Sequence, residues 1–264
     1  MVKIEIKGGL GNQMFQYAYA KKLDIIDNKD IIFDLSFFEK EHGKSTTRRQ
    51  YKLDNFNIPK IKTINKDKKT LLNRIYKKVI RKIGIEKEEY FQNESYFKEI
   101  DKVIRKEFTL KKPFSSNAKK ILDEIANSNN SVSIHIRRGD YALDPNINQE
   151  HGTCSLKYYK EVIEYIKYNL ESPNFFLFSD DIEWVNNNIK IDNSVCVSSY
   201  NIPDYEELIV MSNCNHNIIA NSSFSWWGAW LNKNPSKTVI APKQWTRNKT
   251  SDELDILPKD WIQF

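Results

Sequence analysis

No stretch of this chain reaches 18 consecutive apolar residues, which excludes a membrane-spanning helix of ordinary length. The first residues, MVKIEIKGG, run straight into a strand-like pattern. They hold neither an apolar leader core nor a small-residue cleavage site, so no signal peptide is expected. Cysteine is sparse: Cys154, Cys196 and Cys214 are odd in number, scattered and free of any C-x-x-C. That excludes a disulfide framework and points to reduced thiols in the cytoplasm. Cys214 and His216 lie two apart, but two ligands do not make a zinc site. Glycine is also scarce, 8 in 264 residues.

What is present fits a folded globular protein: 40% hydrophobic and 12% aromatic residues in a length that suits one large or two modest domains. The charge is uneven. Between Lys60 and Lys87 stand 11 Lys and Arg against Asp67 and Glu86 alone. Within that segment Leu71, Leu72, Ile75, Tyr76, Val79, Ile80 and Ile83 recur at helical spacing, with Arg74, Lys77, Lys78, Arg81 and Lys82 on the other face. A solvated basic face and a helix leaning on an anionic membrane surface both fit. Basic charge alone gives only nonspecific nucleic-acid affinity, and no nucleic-acid module is legible, so no such partner is expected.

The pattern along the chain is strand, loop, helix, begun twice. VKIEIK alternates as a strand, a glycine turn follows, then QMFQYAYAKKLDII reads as a helix and DIIFDLSFF as the next strand. The pattern restarts at SVSIHIRRGDY. SLKYYKEVIEYIKYNL is a helix with Ser155 as its cap, and NFFLFSDD is a buried strand ending in acids. The expected architecture is α/β in two halves, with residues 1–120 forming one domain and 121–264 the other.

Four clusters carry chemistry. Gly8, Gly9 and Gly11 fall inside four positions at a strand-to-helix turn, followed by Asn12 and Gln13. Glycine there lets a ligand approach the backbone, and two amides suit hydrogen bonds to hydroxyls or a cap on the helix. His135–Tyr141 reads HIRRGDY at a strand end, where α/β proteins place ligands. Paired Arg137 and Arg138 match a diphosphate, or an Arg–Asp network with Asp140. Asp180 and Asp181 end the strand FLFSDD; an acid there can accept from guanine N–H groups or cap a helix. Asn221, Ser222 and Ser223 can cap the helix FSWWGAWL or cradle a phosphate, while its tryptophans suit a core.

Taken together and in order, GGLGNQMFQYA, H-x-R-R-G-D-Y and SSFSWWGAWL make the chain resemble the bacterial α-1,2-fucosyltransferases, glycosyltransferase family 11. The resemblance covers nearly the whole chain, with residues 60–115 divergent. It implies a GT-B fold, two Rossmann-like domains facing across a cleft, with GDP-fucose on the C-terminal domain. Arg137 then neutralises the β-phosphate, His135 contacts the ribose or guanine, Asp180 recognises guanine, Ser222, Ser223 and Phe224 form the phosphate turn, and Arg138 is counted among the donor-binding residues. Gly9, Gly11, Asn12 and Gln13 line the fucose and acceptor side.

The implied reaction is inverting transfer of L-fucose to O2 of a terminal β-galactoside, in a surface polysaccharide such as an O-antigen or in a mimic of a host glycan. No D-x-D occurs, so arginine is expected to replace a metal, and no cofactor is expected. The glycine loop holds no carboxylate. Either Asp140 or Asp181 serves as base, or Asn12 positions the hydroxyl in a dissociative reaction. A lipid-linked acceptor would give the basic helix at 71–83 a use at the inner membrane face. Alternatives are another nucleotide-sugar GT-B transferase and a noncatalytic glycan-binding module. A dinucleotide oxidoreductase would need glycine where Met14 stands.

Overall fold

The computed structural model describes residues 2–39, 49–64 and 90–264, so the basic helix expected at 71–83 lies outside the described residues. The chain divides into two units, Met1–Lys111 and Lys112–Phe264.

In the first unit β1 (Val2–Glu5), β2 (Ile31–Asp34) and β3 (Thr63–Ile64) form a parallel sheet in that order. Val2 pairs with Ile31 and Ile4 with Phe33. Parallel neighbours need a crossover, and α1 (Leu10–Ile25) supplies it. The helix is not simply amphipathic: Met14, Phe15, Tyr17, Ala18, Ala20 and Leu23 are all buried, which places core on more than one side of it. Tyr17 stacks on Phe33 and donates its hydroxyl to Glu107 at 2.8 Å, tying α1 to the end of α2 (Asp101–Glu107).

The second unit holds six parallel strands: β4 (Ser131–Ile136), β5 (Asn174–Ser179), β6 (Ser194–Cys196), β7 (His216–Ile218), β8 (Val239–Ala241) and β9 (Ile262–Gln263). Their order in the sheet is β6-β5-β4-β7-β8-β9, the doubly wound arrangement of a Rossmann fold. All six residues of β4 are buried, as expected of a strand covered on both faces. Strand alternation then sorts the core. Phe175 and Leu177 join Val132, Ile134 and Ile136 under Tyr159, Val162 and Ile166 of α6 (Leu156–Asn169). Phe176 and Phe178 face the other way, against Ile121 and Ile125 of α3 (Ser116–Ala126) and Met211 of α8 (Asp204–Ser212).

The unit boundary falls at 111/112, whereas the sequence placed it at 120/121. The polar run SSN opens α3: Ser115 caps that helix, and its N–H and hydroxyl both donate to Glu206, at 3.0 and 2.6 Å. The apolar side of α3 belongs to the second core.

The tryptophans are core. In α9 (Ser223–Leu231) Trp226, Trp227 and Trp230 are buried, and the Trp226 indole N–H donates to Ile256 O at 2.8 Å. A Cβ on Gly228 would come within 2.5 Å of Met211 Sδ, so glycine permits α8 and α9 to pack this closely. Among the described residues no helix is long and apolar enough to cross a membrane.

Candidate active site

Beyond the last paired residues of β4 and β5, the register continues into the loops. Ile136 lies opposite Ser179. The next two positions then set Arg137 against Asp180 and Arg138 against Asp181, and both pairs are ion pairs. Arg137 Nη1 lies 2.6 Å from Asp180 Oδ2, and Arg138 Nε donates to Asp181 Oδ2 at 3.0 Å.

Arg137 also bonds Asp140 through Nη2 and sits over the ring of Tyr141. Two carboxylates therefore fix its fork, and the rest of its five N–H groups remain for a ligand. Arg138 turns away from Arg137, its guanidinium 4.3 Å from the ring centroid of Trp184. Alternation sends it to Asp181, the cap of α7 (Ile182–Asn188).

Asp180, the acid expected at guanine, is engaged with the loop that follows β4. Its Oδ1 accepts from Arg138 N at 2.8 Å and Gly139 N at 3.0 Å, and Oδ2 faces Arg137. Both oxygens hold the loop that opens α4 (Gly139–Leu143). A Cβ at Gly139 would run into the Asp180 carboxylate, so a larger residue there would displace that side chain from the loop. Asp140, predicted as a base, is locked to Arg137 and mostly buried.

His135, one residue before the strand end, is 5% exposed and faces the Phe224 ring at 5.4 Å. Burial, helped by the charge of Arg137, pushes its pKa down to about 3, so the imidazole is neutral. Its Nδ1 is buried without a partner among the described residues. A neutral imidazole with a vacant position, beside an arginine, suits hydrogen bonding to a ligand.

At the end of β7, Ser222 caps α9 by accepting from Phe224 N at 3.3 Å. Ser223 opens the helix with no protein partner for its hydroxyl among the described residues, and helix N–H dipoles favour an anion there. Asn221 is turned elsewhere: its amide donates to His151 O, Gly152 O and Trp245 O, knitting three loops. β4 and β7 are neighbours at which the chain order reverses, the switch point where doubly wound sheets bind ligands. The arginine and serine clusters sit on its two sides. A cavity of about 480 Å³ opens beside Asn221 toward Pro242 and Gln244, lined by none of Arg137, Asp180 or Ser222.

One residue that the sequence reading missed joins this edge. Glu207 of α8 is largely buried, which pushes its pKa up to about 7; a hydrogen bond from Ser198 opposes the shift, and Asp204 and Asp180 add to it. No motif marks it. The only signal was an acid near the start of a helix that follows a strand end.

In the first unit Gly8 has φ +80°, which glycine alone adopts freely. Gly9 is extended, and a Cβ there would meet nothing closer than Arg49 at 3.8 Å. Gly11 is buried in the first turn of α1. Asn12 is half-buried, and its Oδ1 accepts from Gln92 at 2.7 Å. Gln13, expected on the sugar side, is turned into the fold. It is fully buried, donating to Gly8 O at 3.0 Å and Gln50 O at 2.8 Å and accepting from Lys52 N at 3.0 Å. Among the described residues no group of three or more His, Cys, Asp or Glu side chains gathers as a cation site.

The whole chain, residues 1–264, matches the model of glycosyl transferase family 11. The chain belongs to glycosyltransferase family 11. Among relatives, the alpha-1,2-colitosyltransferase of Escherichia coli is 34% identical, the match covering 100% of this chain and 99% of that one. The O-antigen biosynthesis glycosyltransferase WbnK of Escherichia coli is 30% identical over 98% and 99%. A galactoside 2-alpha-L-fucosyltransferase of Caenorhabditis elegans is 29% identical over 66% of this chain and 50% of its own. Of solved structures, NodZ alpha-1,6-fucosyltransferase soaked with GDP-fucose aligns with a TM-score of 0.47 and 14% identity, over 87% of this chain and 91% of that one. The family-11 chain is therefore a glycosyltransferase, related to α-1,2-fucosyl- and colitosyltransferases.

Proposed function

We propose that this family-11 enzyme transfers L-fucose from GDP-fucose, with inversion, to O2 of a terminal β-galactoside in a bacterial surface polysaccharide, using a GT-B arrangement. The observation that carries the reading is the convergence of Arg137, His135 and the Ser222–Ser223 turn at the switch point of the second sheet.

In this reading the diphosphate lies between Arg137 and the amino end of α9. Asp140 and Asp180 offset the charge of Arg137, so the open N–H positions of its fork and the α9 dipole supply most of the attraction. As the bond to fucose lengthens, negative charge grows on the β-phosphate, and the prepositioned guanidinium stabilises it without reorganising. The transition state is oxocarbenium-like, as in glycoside hydrolysis. Guanine recognition falls to Glu207 beside Asp180, whose Oδ1 is taken by two loop N–H groups, with His135 Nδ1 completing the donor contacts. Asn12 orients a hydroxyl of the fucose or acceptor. With no D-x-D in the sequence, the reaction runs without a metal, and the acceptor is presented at the inner face of the membrane or in the cytoplasm.

A second donor has a specific observation behind it: the 34% identical relative is a colitosyltransferase. Colitose is fucose without its 3-hydroxyl, so the same donor pocket accommodates it.

The test is GDP release from GDP-fucose and from its 3-deoxy analogue, with and without lactose or Galβ1-3GalNAc, in excess EDTA. Acceptor-dependent release and an α-1,2 product support the proposal, and the preferred donor decides between the two sugars. Absence of both release and GDP binding overturns it.

A further inference from the structure

The segment Tyr90–Gln92 lies against the glycine loop of the first unit. The Tyr90 ring reaches within 3.4 Å of where a Gly8 Cβ would stand, and the Lys7 ammonium sits over it. Phe91 adopts φ +54°, a left-handed conformation that a bulky residue takes only when its surroundings enforce it. The enforcement is visible: its ring stacks on Tyr19 of α1 with centroids 4.0 Å apart and meets Tyr96 edge-on. That backbone turn aims the next side chain, Gln92, at the loop, where Nε2 donates to Asn12 Oδ1 at 2.7 Å.

A carboxamide has one accepting end and one donating end, and a partner that takes one leaves the other for a ligand. With Oδ1 committed to Gln92, Asn12 presents its N–H₂. We propose that Gln92 is a positioning residue that sets the polarity of the Asn12 amide, so that the glycine loop offers a hydrogen-bond donor to a sugar oxygen. The inference rests on the proposed role of Asn12 in sugar transfer and adds the residue that fixes its orientation.

The experiment compares Gln92→Glu with Gln92→Met, each alone and combined with Asn12→Ala, at temperatures where melting curves show the variants folded. An ionised carboxylate only accepts, so Gln92→Glu draws the Asn12 N–H₂ inward and turns its carbonyl toward the sugar. Methionine merely releases the amide. We expect Gln92→Glu to lower kcat/KM by ~10-fold or more and Gln92→Met by only ~3-fold, with neither changing it beyond ~2-fold once Asn12 is alanine. Equal effects of the two substitutions, or effects that persist without Asn12, overturn the proposal while leaving the transferase reading intact.

If the unaltered enzyme transfers nothing from either GDP-sugar, the transferase reading fails. The side-chain amide resonances of Asn12, assigned by their loss in Asn12→Ala, then decide the inference alone. They shift in Gln92→Glu, or in Gln92→Met should the first variant not fold; unmoved resonances overturn it.

Discussion

Arg137 Nη1 stands 2.6 Å from Asp180 Oδ2, one register step beyond the last paired residues of β4 and β5. The contact follows from strand pairing itself: two arginines and two aspartates at equivalent ends of adjacent parallel strands meet in order. It gives the proposed leaving-group site a fixed guanidinium before any ligand arrives.

That arrangement separates two roles by mutation. Arg137→Ala should lower kcat by at least ~100-fold, the scale of removing one prepositioned donor to a developing negative charge. Asp140→Asn keeps the shape but removes a competitor for the guanidinium, so GDP should bind as tightly or more tightly. If Asp140 is the base, kcat falls steeply despite that binding; if it only holds Arg137, kcat changes a few-fold. Calorimetry with GDP alongside turnover distinguishes these, and near-normal turnover of Arg137→Ala would refute its assignment.

Glu207 gives a pH signature. Its carboxyl titrates near 7 in the fold against 4.5 for an ordinary glutamate, so the native state holds a proton that the unfolded chain releases. Stability from this group is full below pH 4.5 and is lost as pH rises through 7. Glu207→Gln, which stays neutral, should therefore gain on the parent by about 1.4 kcal/mol per pH unit across that interval, levelling off above it. The same variant should bind GDP more weakly, since an amide cannot accept from two guanine N–H groups with one face. Urea titrations at several pH values check the first; parallel stability curves would sink it.

The strand ends of the second unit were legible in the sequence because the apolar patterns give way to polar residues at Arg137, Asp180 and Ser222, and ligands gather at such ends. The partnership of Arg137 with Asp180 was not, because it depends on β4–β5 register, which neither segment encodes alone. Asn12 and Gln13 looked equivalent as neighbouring amides. One residue of helix rotates a side chain by about 100°, enough to put Asn12 at the surface of the loop and Gln13 in the core. The expected boundary at 120/121 falls inside α3, because it takes the burial of Ala118, Ile121 and Ile125 to assign that short helix to the second core.

Gln13 should accordingly behave as structure. Gln13→Leu removes a fully buried amide and with it three part-buried bonds, to Gly8 O, Gln50 O and Lys52 N. The expected loss is ~2–4 kcal/mol of stability, from unsatisfied groups costing about 1–3 kcal/mol each with partial relaxation. At a temperature where the variant is folded, its KM for the acceptor should stay within about 2-fold of the parent, whereas Asn12→Ala should not. A large KM change in folded Gln13→Leu would return Gln13 to the sugar site.

His135 supplies the opposite pH dependence. Its imidazole is held neutral down to about 3, while in the unfolded chain it protonates near the ordinary 6.5. The folded pKa is depressed, so the unfolded state binds more protons at acid pH and stability falls as pH drops from 6.5 toward 3. His135→Asn removes the titration but keeps a polar atom near the vacant Nδ1 position. The stability gap between parent and variant should move in the variant's favour by about 1.4 kcal/mol per pH unit below 6.5. Between pH 6.5 and 9 the gap should be constant, and the pH profile of kcat/KM should show no limb that His135→Asn abolishes. A limb near 6.5 that vanishes in the variant would mean that the imidazole is solvated in the working enzyme, and the buried, vacant Nδ1 would no longer argue for a ligand contact.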